Sequence, residues 1–561
     1  MIRKHDHKRA AEFARSLGLS PLAAALLIAR GFDTRETARG FLTPKLEDLH
    51  DPMLLKGMDA AIARIQKAID NKEKVLIWGD YDVDGTTGTV VLRRALKALG
   101  AETGYHIPNR FTEGYGINIP ALEKAKADGF SLVISVDTGT TSVREVEFAN
   151  TIGLDVIITD HHLPRSGEDL PNAVAIVNPN QPGCEYPDKH LAGVGVAFKV
   201  ACELLGRNGH DDLVKPFLKI AAIGTIADIM KLTGENRAIV SLGLKDLPKT
   251  KNYGLKALME VADCRSEMTS YHIGFRIAPR INAAGRMDVA RHVVELFEED
   301  DFMRARKLAD ILDSRNRERQ QVQQRITEMA LLEGENLDRQ SFIVVAGENW
   351  HKGVIGLAAS RIAEQFYRPT IVLSVENGVA NGSARSIGNF HLLNALESCS
   401  ELFEQFGGHA AAAGMKIRSE NIPELRERLN SYAAGVLSDE ELIPELKIDA
   451  LVSAETLDLK LVDELSIFEP FGAGNTKPIF TTRNLFVDAE PIVMKEKHLK
   501  IHLRDGSGKR FEAVWWDGVR KINGRTLKRG GGIELAYVAE VNEWQGNRRL
   551  QLVVEDLRTD N

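Results

Sequence analysis

Short apolar runs alternate with longer amphipathic segments between residues 57 and 289. The β-branched run Val75–Gly79, for example, is followed by Val90, Leu92, Leu96 and Leu99 at helical spacing. Strands that alternate with helices predict an α/β domain in which helices cover both faces of a doubly wound parallel sheet. We place this domain at residues 49–299. Residues 1–48 contain two short amphipathic segments, and we expect this helical appendage to pack on the first domain.

A single long helix is predicted at residues 300–336. This segment consists almost entirely of good helix formers and lacks proline. Apolar positions such as Leu308, Leu312 and Ile326 lie towards its ends, whereas Asp313–Gln321 has none. Apolar ends and an Arg-rich middle predict a connection between two domains, with the middle facing a groove. A solvated charged face is the alternative for some of these arginines.

The pattern changes again in the second half of the chain. A second α/β domain is predicted at residues 337–440, with strands near Ser341–Val345 and Thr370–Ser374. From residue 441 to 561, short alternating segments such as Leu499–Leu503 and Ile533–Val538 are separated by turns. Regular short strands of this kind predict a small β-barrel.

A basic strip crosses the predicted β-barrel. Residues 495–529 carry eleven Lys/Arg against four Asp/Glu and include Trp515 and Trp516. Cations interleaved with aromatic side chains are typical of grooves for single-stranded nucleic acid, where stacking is worth roughly 1–3 kcal/mol per base. Because neighbouring residues of a strand point to opposite faces, at most one of the two tryptophans is available for bases. The sequence does not decide which one.

Composition and charge exclude few classes of protein. A chain of 561 residues is too long for one core, and 43% hydrophobic with 27% charged residues is ordinary for a soluble protein. The net charge of −7 does not favour a generally basic nucleic-acid binder, although a local groove can differ from the average. Four scattered cysteines and the lack of a signal region or long apolar run predict a cytoplasmic protein that has no membrane partner.

Carboxylates and histidines follow several of the predicted strands of the first domain. The first group is Asp80, Asp82 and Asp84; later apolar runs end in Asp137, in Asp160 with His161 and His162, and in Asp228. Neighbouring parallel strands bring their last residues to one crevice. Carboxylates crowded there repel one another unless a counter-charge is present, which indicates a site for a divalent cation. Oxygen and imidazole ligands without thiolate favour Mn²⁺ or Mg²⁺ over structural zinc. The alternative is a solvated acidic loop, or a helix N-terminus that collects Asp for its dipole.

Candidate phosphate-binding residues lie in polar or small-residue stretches. They are Arg110; Arg280, Asn282 and Arg286 about a segment that we interpret as a tight turn; Ser383 and Arg385 at a strand end; and Gly408 with His409. Arginine forks suit phosphate oxygens, and small residues let backbone amides approach an anion. An ordinary surface loop is the alternative for Arg280–Arg286. The glycines of Gly193–Lys199, which open a helix, are better explained by close packing.

Several of these motifs resemble those of known families. Asp80–Gly85, the Asp-Thr-Gly that begins at Asp137, and Asp160-His-His resemble the signature motifs of the DHH phosphoesterase superfamily. Arg280–Arg286, Trp350–Gly356 and Gly407–Gly414 resemble the RecJ single-strand-specific exonucleases in particular. The resemblance runs from about residue 49 to the C-terminus.

Two positions depart from the pattern. Val83 stands where the family more often has alanine. Trp78 occupies the place of a metal-binding histidine in the phosphatase members, and Asp80 is the natural substitute ligand. The role of Asp80 is therefore less defined by the resemblance than those of Asp82 and Asp84.

The resemblance implies a DHH domain, a DHHA1 domain and an OB-fold. It implies a metal-dependent exodeoxyribonuclease, a phosphodiester hydrolase that releases 5′-mononucleotides from single-stranded DNA in the 5′→3′ direction during repair and recombination. Two Mn²⁺ or Mg²⁺ ions would be held by Asp82, Asp84, Asp137, His161 and Asp228, with Asp137 as the bridge and Asp80 assisting. His162 would contact the phosphate or the leaving group. Single-strand-binding protein and a RecQ-type helicase are expected partners of a monomer.

The arginines and the DHHA1 residues suggest how an end is recognised. Arg280 and Arg286 would face Ser383, Arg385, Gly408 and His409 across the connecting helix, which predicts a terminal-phosphate pocket in the interdomain cleft. Two alternatives remain. A DHH phosphodiesterase for short oligoribonucleotides or cyclic dinucleotides shares both α/β domains, but it does not need the long helix and basic β-barrel. A non-catalytic DNA-bound scaffold would be marked by loss of the acids.

Overall fold

The computed structural model describes residues 2–110, 112–165, 167, 169–264, 267–287, 290–333 and 339–559. These residues form three sheets with a long helix between the first and the second. The last residues of the predicted connecting segment, 334–336, lie outside the described residues.

The first sheet is parallel throughout. Its strands are β1 Lys74–Gly79, β2 Thr103–His106, β3 Phe130–Val136, β4 Asp155–Thr159 and β5 Ala175–Val177, in the order β2-β1-β3-β4-β5. Val75 and Ile77 lie in one apolar cluster and Leu76 and Trp78 in another, so both faces of β1 are covered. The predicted doubly wound domain is therefore confirmed. The strand order reverses between β1 and β3, which opens a crevice at their carboxyl ends.

Helices surround this sheet and precede it. They are α1 His7–Leu17, α2 Pro21–Ala29, α3 Arg35–Leu42, α4 Met58–Asp70, α5 Val83–Ala98, α6 Ile119–Ala127, α7 Val143–Thr151, α8 Gly193–Arg207, α9 Val214–Ala227, α10 Gly234–Asp246, α11 Tyr253–Val261, α12 Ser270–His272, α13 Ala278–Arg286 and α14 Arg291–Glu298. Two of them correct the sequence analysis. The apolar run before Asp228 is the end of α9 and not a strand, because a short buried apolar run has the same pattern in both. Arg280–Arg286 is the end of α13 and not a tight turn.

A helix of 32 residues, α15 Phe302–Glu333, joins two domains as predicted. Ala305, Ala309 and Leu312 pack into the core of the first domain, whereas Ile326 and Ala330 pack with the second. The apolar-free middle of the helix nevertheless contains the buried side chain of Asp313. The middle of α15 thus faces protein and a cleft between the domains rather than open solvent alone.

The second domain is built on a mixed sheet in the order β6-β7-β8-β10-β9, in which β6 and β7 are parallel and the other neighbours antiparallel. Its strands are β6 Ile343–Glu348, β7 Thr370–Glu376, β8 Val379–Arg385, β9 Phe403–Gly408 and β10 Ala412–Arg418, and its helices are α16 Ile355–Phe366, α17 Leu392–Glu397 and α18 Ile422–Val436. The predicted second α/β domain is confirmed.

The C-terminal domain consists of seven strands and two short helices. They are β11 Ala450–Leu451, β12 Phe480–Val487, β13 Ile492–Met494, β14 His498–Arg504, β15 Arg510–Trp515, β16 Gly532–Trp544 and β17 Asn547–Thr559, with α19 Leu459–Leu465 and α20 Gly518–Lys521. The pairings run β12-β16-β17-β15-β14 and return from β14 to β12. Trp515 is completely buried, whereas Trp516 is 51% exposed. Trp516 is therefore the tryptophan that solvent can reach.

The N-terminal helices share their core with the C-terminal domain and not with the first domain, contrary to the expectation that they pack on the first domain. Leu26, Leu27 and Phe41 share one core with Phe468 and Phe480. Ser20 donates backbone and hydroxyl hydrogen bonds to Glu464, 444 residues away. No local pattern in the sequence identifies so distant a partner.

Arg237 of α10 ties these segments to the first domain. Its guanidinium lies 3.6 Å from the centre of the Phe41 ring and donates to the carbonyl oxygens of Phe41, Phe468 and Glu469. Among the described residues, no single helix is long and apolar enough to cross a membrane. Only α1 and α2 taken together reach the necessary length and composition, and that pair is bent by 106°.

Candidate metal centre and arginine cluster

The segment after β1 carries three carboxylates to the crevice between β1 and β3. Asp82 is the N-cap of α5, and its side chain accepts a hydrogen bond from Gly85 N at 3.0 Å. A Cβ at Gly85 would lie 2.5 Å from Asp80 N, so the turn requires glycine there. Local capping thus fixes the direction in which Asp80 and Asp82 enter the crevice.

Asp84 is held by a second helix. Its two carboxylate oxygens accept from Gly193 N at 2.7 Å and Val194 N at 2.8 Å, at the N-terminus of α8. A Cβ at Gly193 would lie 2.5 Å from the Cβ of Asp137, in agreement with the close packing expected for this glycine. The sequence analysis missed the role of these amides, although glycine at a helix start was the available signal.

Asp137 and the residue that follows Asp228 have unusual backbone conformations. Asp137 follows β3 with φ of +61°, and Ile229, next to Asp228, has φ of +57°. Left-handed conformations cost roughly 1–3 kcal/mol in residues other than glycine and concentrate at functional sites. The fold therefore accepts local strain to direct these two carboxylates.

Five carboxylates and one histidine converge, and we refer to Asp80, Asp82, Asp84, Asp137, His161 and Asp228 as the acid centre. His161 Nε2 lies 3.1 Å from Asp137 Oδ1, 3.5 Å from Asp228 Oδ2 and 3.9 Å from Asp84 Oδ2. Ligand atoms within 4.8 Å of one another form three groups: Asp80, Asp82 and Asp137; Asp84, His161 and Asp228; and Asp137 with His161 and His162. The first and third groups share Asp137, and the second and third share His161.

Nearby positive charge offsets the burial of the acid centre only in part, since Arg110 and His162 lower the pKa of Asp80 less than burial raises it. Burial, with the negative charge of Asp82, raises the pKa of Asp80 to about 8 and that of Asp228 to about 7. Burial also raises the pKa of Asp84 and Asp137 well above the usual range. Asp80 Oδ1, Asp137 Oδ1, Asp228 Oδ2 and His161 Nε2 are buried without a hydrogen-bond partner. Hard oxygen donors of this kind fit Mn²⁺ or Mg²⁺, which would satisfy the orphaned atoms and reverse the pKa shifts.

The two histidines differ in their protonation. Burial, followed by the charge of His162, lowers the pKa of His161 to about 4, which leaves a neutral imidazole suited to a metal. Burial acts to lower the pKa of His162 as well, but the hydrogen bond from its Nδ1 to Asp160 at 2.8 Å raises it to about 9. Asp160 also accepts from Thr140 N at 2.9 Å. His162 therefore carries a proton next to the acid centre.

Trp78 has no part in this centre. Its side chain is fully buried, with its ring centre 4.3 Å from that of His106. Asp80 instead joins Asp82 and Asp137 in one candidate ligand group. The geometry is therefore compatible with Asp80 as the substitute ligand.

Four arginines from separate elements gather beside the acid centre. The arginine cluster consists of Arg110, Arg286 of α13, Arg319 of α15 and Arg385 of β8. Burial and then the charges of the other three lower the pKa of Arg286 to about 10. Arg110 stacks over the ring of Tyr81, which lies between Asp80 and Asp82, at 5.0 Å. Within the described part of the chain, none of the four forms an ion pair with a carboxylate, so the cluster is suited to an anion.

The second domain completes the arginine cluster. Arg385 Nη1 donates to Ser383 Oγ at 3.0 Å, and a Cβ at Gly356 in the first turn of α16 would lie 2.9 Å from both side chains. The N-terminus of α16, which has no side-chain cap, therefore adds partial positive charge. Arg286 Nη1 reaches across the cleft to the Gly353 carbonyl at 2.9 Å.

Other predicted phosphate contacts are placed differently. Arg280 donates from Nε to Asp313 at 2.9 Å and from its other nitrogens to the carbonyl oxygens of Arg276 and Val261. Its side chain is thus engaged within the protein and not presented to a ligand. Gly408 ends β9 and pairs with Ala413, and exposed His409 lies in the turn that follows. Their contact with phosphate stays a prediction.

An apolar groove of about 610 Å³ extends from Ile229 beside Asp228 to residues 471–477. Arg286 and Arg319 line one part of the groove, which has the aromatic rings of Tyr271 and Phe275 on its wall. These two rings stack 4.9 Å apart and are 53% and 71% exposed. The sequence analysis missed Arg319, Tyr271 and Phe275.

Family models match all three domains. The model of the DHH family, N-terminal domain, matches residues 74–225, the DHHA1 domain matches residues 339–435, and the RecJ OB domain matches residues 448–556. Together with the acids at the strand ends, these matches define a protein of the DHH class.

Full-length relatives narrow this class. The chain is 42% identical to the single-stranded-DNA-specific exonuclease RecJ of Bacillus subtilis, over 99% of this chain and 70% of that protein, and 33% identical to the RecJ of Salmonella typhimurium, over 99% and 98%. The crystal structure of RecJ from Thermus thermophilus in complex with Mn²⁺ matches with a TM-score of 0.85 at 30% identity, over 100% of this chain and 79% of that one. The complex of that protein with Mg²⁺ matches with a TM-score of 0.79 at 28% identity, over 100% and 78%. The chain belongs to the RecJ family.

Proposed function

We propose that this protein is a metal-dependent exonuclease that removes 5′-mononucleotides from single-stranded DNA in the 5′→3′ direction. The observation that carries the proposal is the position of the arginine cluster beside the acid centre, where the charge of Arg110 acts on Asp80 and that of Arg286 acts on Asp82. A scissile phosphate at the acid centre and a terminal phosphate at the arginine cluster would belong to one strand held across both sites. The relatives that are named single-stranded-DNA-specific exonuclease support the same activity for this protein.

The acid centre would hold two Mn²⁺ or Mg²⁺ ions. The proposed ligands are Asp80, Asp82, Asp84, Asp137, His161 and Asp228. Two such ions supply Lewis-acid polarisation of a phosphodiester and a hydroxide nucleophile near neutral pH. Neutral His161 offers its Nε2 lone pair, and the backbone amides at Gly193 and Val194 orient Asp84.

His162 is the proposed proton donor. Asp160 holds the imidazole by its Nδ1 and keeps it charged, so Nε2 is available to donate. A charged donor beside the scissile phosphate would stabilise the departing 3′ oxygen or give it a proton. The buried hydrogen bonds to Asp160 preserve this orientation.

End recognition is assigned to the arginine cluster with Ser383 and the N-terminus of α16. A terminal phosphate carries more charge than an internal diester, so a cluster of half-buried and exposed arginines would favour it. The remainder of the strand would leave along the apolar groove, where Tyr271 and Phe275 offer stacking faces. A path of this kind suits a role in repair and recombination, in which the substrate is a long single strand.

The test is a nucleotide-release assay with 5′-labelled and 3′-labelled oligonucleotides, single- and double-stranded, in Mn²⁺, Mg²⁺ or EDTA. We expect metal-dependent release of mononucleotides from the 5′ end of single strands. Preference for dinucleotides or short RNA would favour a DHH phosphodiesterase for small substrates instead. Binding without turnover in either metal would favour a non-catalytic scaffold.

A further inference from the structure

Asn282 makes a backbone contact inside the acid centre. Its Oδ1 accepts a hydrogen bond from Val83 N at 3.3 Å. Val83 is the first residue of α5 and stands between Asp82 and Asp84. Amides of the first helical turn have no partner within their own helix, so an acceptor from outside fixes this one.

Gly285 brings the same helix against the neighbouring residue of the acidic segment. A Cβ at Gly285 would lie 2.4 Å from the carbonyl oxygen of Tyr81, which stands between Asp80 and Asp82. Asn282 and Gly285 are therefore three residues apart on one face of α13, and they contact the two residues that alternate with the three aspartates. Contacts with α13 therefore fix the position of the backbone that carries Asp80, Asp82 and Asp84.

The opposite ends of α13 are tied to the connection between the domains. Arg280 is ion-paired with Asp313 of α15, and Arg286 donates to the Gly353 carbonyl of the second domain. The helix is thus held from outside while its middle contacts the acidic segment. A side chain in this middle is well placed to transmit the position of the domains to the carboxylates.

We infer that Asn282 is a positioning residue of the metal centre, which acts through its carbonyl oxygen on Val83 N and does not bind phosphate through its amide N–H. The inference replaces the phosphate contact expected from the sequence, and it rests on the metal centre of the proposed function. Groups that orient metal ligands commonly change metal affinity by about 10–100-fold when they are removed. A phosphate ligand would change affinity for DNA instead.

Two substitutions separate these roles. Asn282→Ala removes both the oxygen and the N–H donors, whereas Asn282→Asp keeps an oxygen acceptor, loses the donors and adds a carboxylate that attracts a cation. We expect the Mn²⁺ dissociation constant of the DNA-free protein, measured by calorimetry, to rise about tenfold in Asn282→Ala and not to rise in Asn282→Asp. The KM for a single-stranded oligonucleotide at saturating Mn²⁺ should change little in either variant.

Asn252 offers a matched control. Its Oδ1 accepts from Leu255 N at 2.8 Å and caps α11, away from the acid centre. Asn252→Ala should lower the thermal midpoint without changing Mn²⁺ affinity. Gly285→Ala tests the same helix independently, because the added methyl group must displace Tyr81, and it should also weaken Mn²⁺ binding.

Each outcome bears on the inference. Wild-type Mn²⁺ affinity in Asn282→Ala, or equal loss in Asn282→Ala and Asn282→Asp, would overturn it. An Asn282→Ala variant with normal Mn²⁺ binding and a raised KM would make Asn282 a phosphate ligand. If the wild-type protein bound no Mn²⁺, the proposed metal centre would fail, and this inference with it; normal wild-type binding with no effect of the variants would overturn the inference alone.

Discussion

The acid centre and the arginine cluster carry opposite charges, and they differ in how the fold assembles them. Most residues of the acid centre follow strands of one domain, so a single sheet brings them together. The arginines come from a loop, two helices and a strand of the second domain. Only the acid centre lies wholly within the DHH domain. If the arginine cluster binds the terminal phosphate as proposed, chemistry and end recognition are separable, since end recognition depends on how the two domains are held.

The largest effect is expected at the acid centre. Asp137→Ala or His161→Ala should lower turnover by roughly a thousandfold or more, because loss of a shared ligand removes Lewis-acid stabilisation worth several kcal/mol. Affinity for single strands, measured in EDTA, should remain, since contacts to phosphates elsewhere carry it. Asp128→Ala, at an exposed helix end, is the control. Near-wild-type turnover of either variant at saturating Mn²⁺ would remove the acid centre from the chemistry.

The next effect concerns the arginine cluster. Arg385→Ala should reduce activity on 5′-phosphorylated single strands much more than on 5′-hydroxyl strands, shrinking their ratio by roughly 10–100-fold, because a charge-assisted contact is worth about 1.5–3 kcal/mol. Arg418→Ala, on the exposed face of β10, should leave the ratio unchanged. An unaltered ratio in Arg385→Ala would place end recognition outside this cleft.

The acid centre should also give the metal-free protein an unusual pH dependence. Asp80, Asp228 and His162 have folded-state pKa values of about 8, 7 and 9, all above their unfolded values. They retain protons that the unfolded chain loses, so the free energy of unfolding should fall between pH 6.5 and 8, by about 1.4 kcal/mol per pH unit for each retained proton. Below pH 6.5 the low pKa of His161 opposes this trend.

Urea unfolding in EDTA at several pH values measures the slope. Asp80→Asn should flatten it, and Mn²⁺ should reverse its sign because metal binds the ionised carboxylates. Stability that rises with pH in the metal-free protein would contradict the idea that nearby positive charge offsets the burial of these acids only in part.

The smallest effect on substrate preference is expected from substitution of Arg280. This variant tests whether Arg280 belongs to the arginine cluster. Arg280→Ala leaves Asp313 partly unpaired and should lower the thermal midpoint, since an uncompensated buried charge is destabilising. The ratio between 5′-phosphorylated and 5′-hydroxyl substrates should stay as in the wild type. A ratio that shrinks as in Arg385→Ala would return Arg280 to the phosphate pocket.

The sequence was a good guide where chemistry lies at strand ends. Asp80, Asp82, Asp84 and Asp137 follow β-branched runs, and parallel topology alone places such residues in one crevice. The sequence wrongly predicted a turn at Arg280–Arg286, because small residues are typical of turns. Gly285 is small for another reason, namely that α13 packs on the backbone of Tyr81 there, and Ala283 and Ala284 are buried within the helix.

Features that depend on three-dimensional direction were harder to predict. Arg319 is one of several arginines in the middle of α15, and only the rotation of the helix relative to the cleft distinguishes it. The run before Asp228 reads equally well as strand or helix. Trp515 and Trp516 could be assigned to core and surface only when the register of β15 was known.

The packing of the first helices against the last domain has a consequence for biosynthesis. Ser20 must wait for Glu464, made 444 residues later, before its hydrogen bonds can form. At roughly 5–20 residues per second, translation of that interval takes roughly 20–90 s. During this time the apolar side chains of α2 and α3 lack the core partners that the C-terminal domain supplies, and a chain that stalls before residue 450 never acquires them. Because apolar surface that stays exposed during synthesis promotes aggregation, we expect such a fragment to be aggregation-prone at its N-terminus.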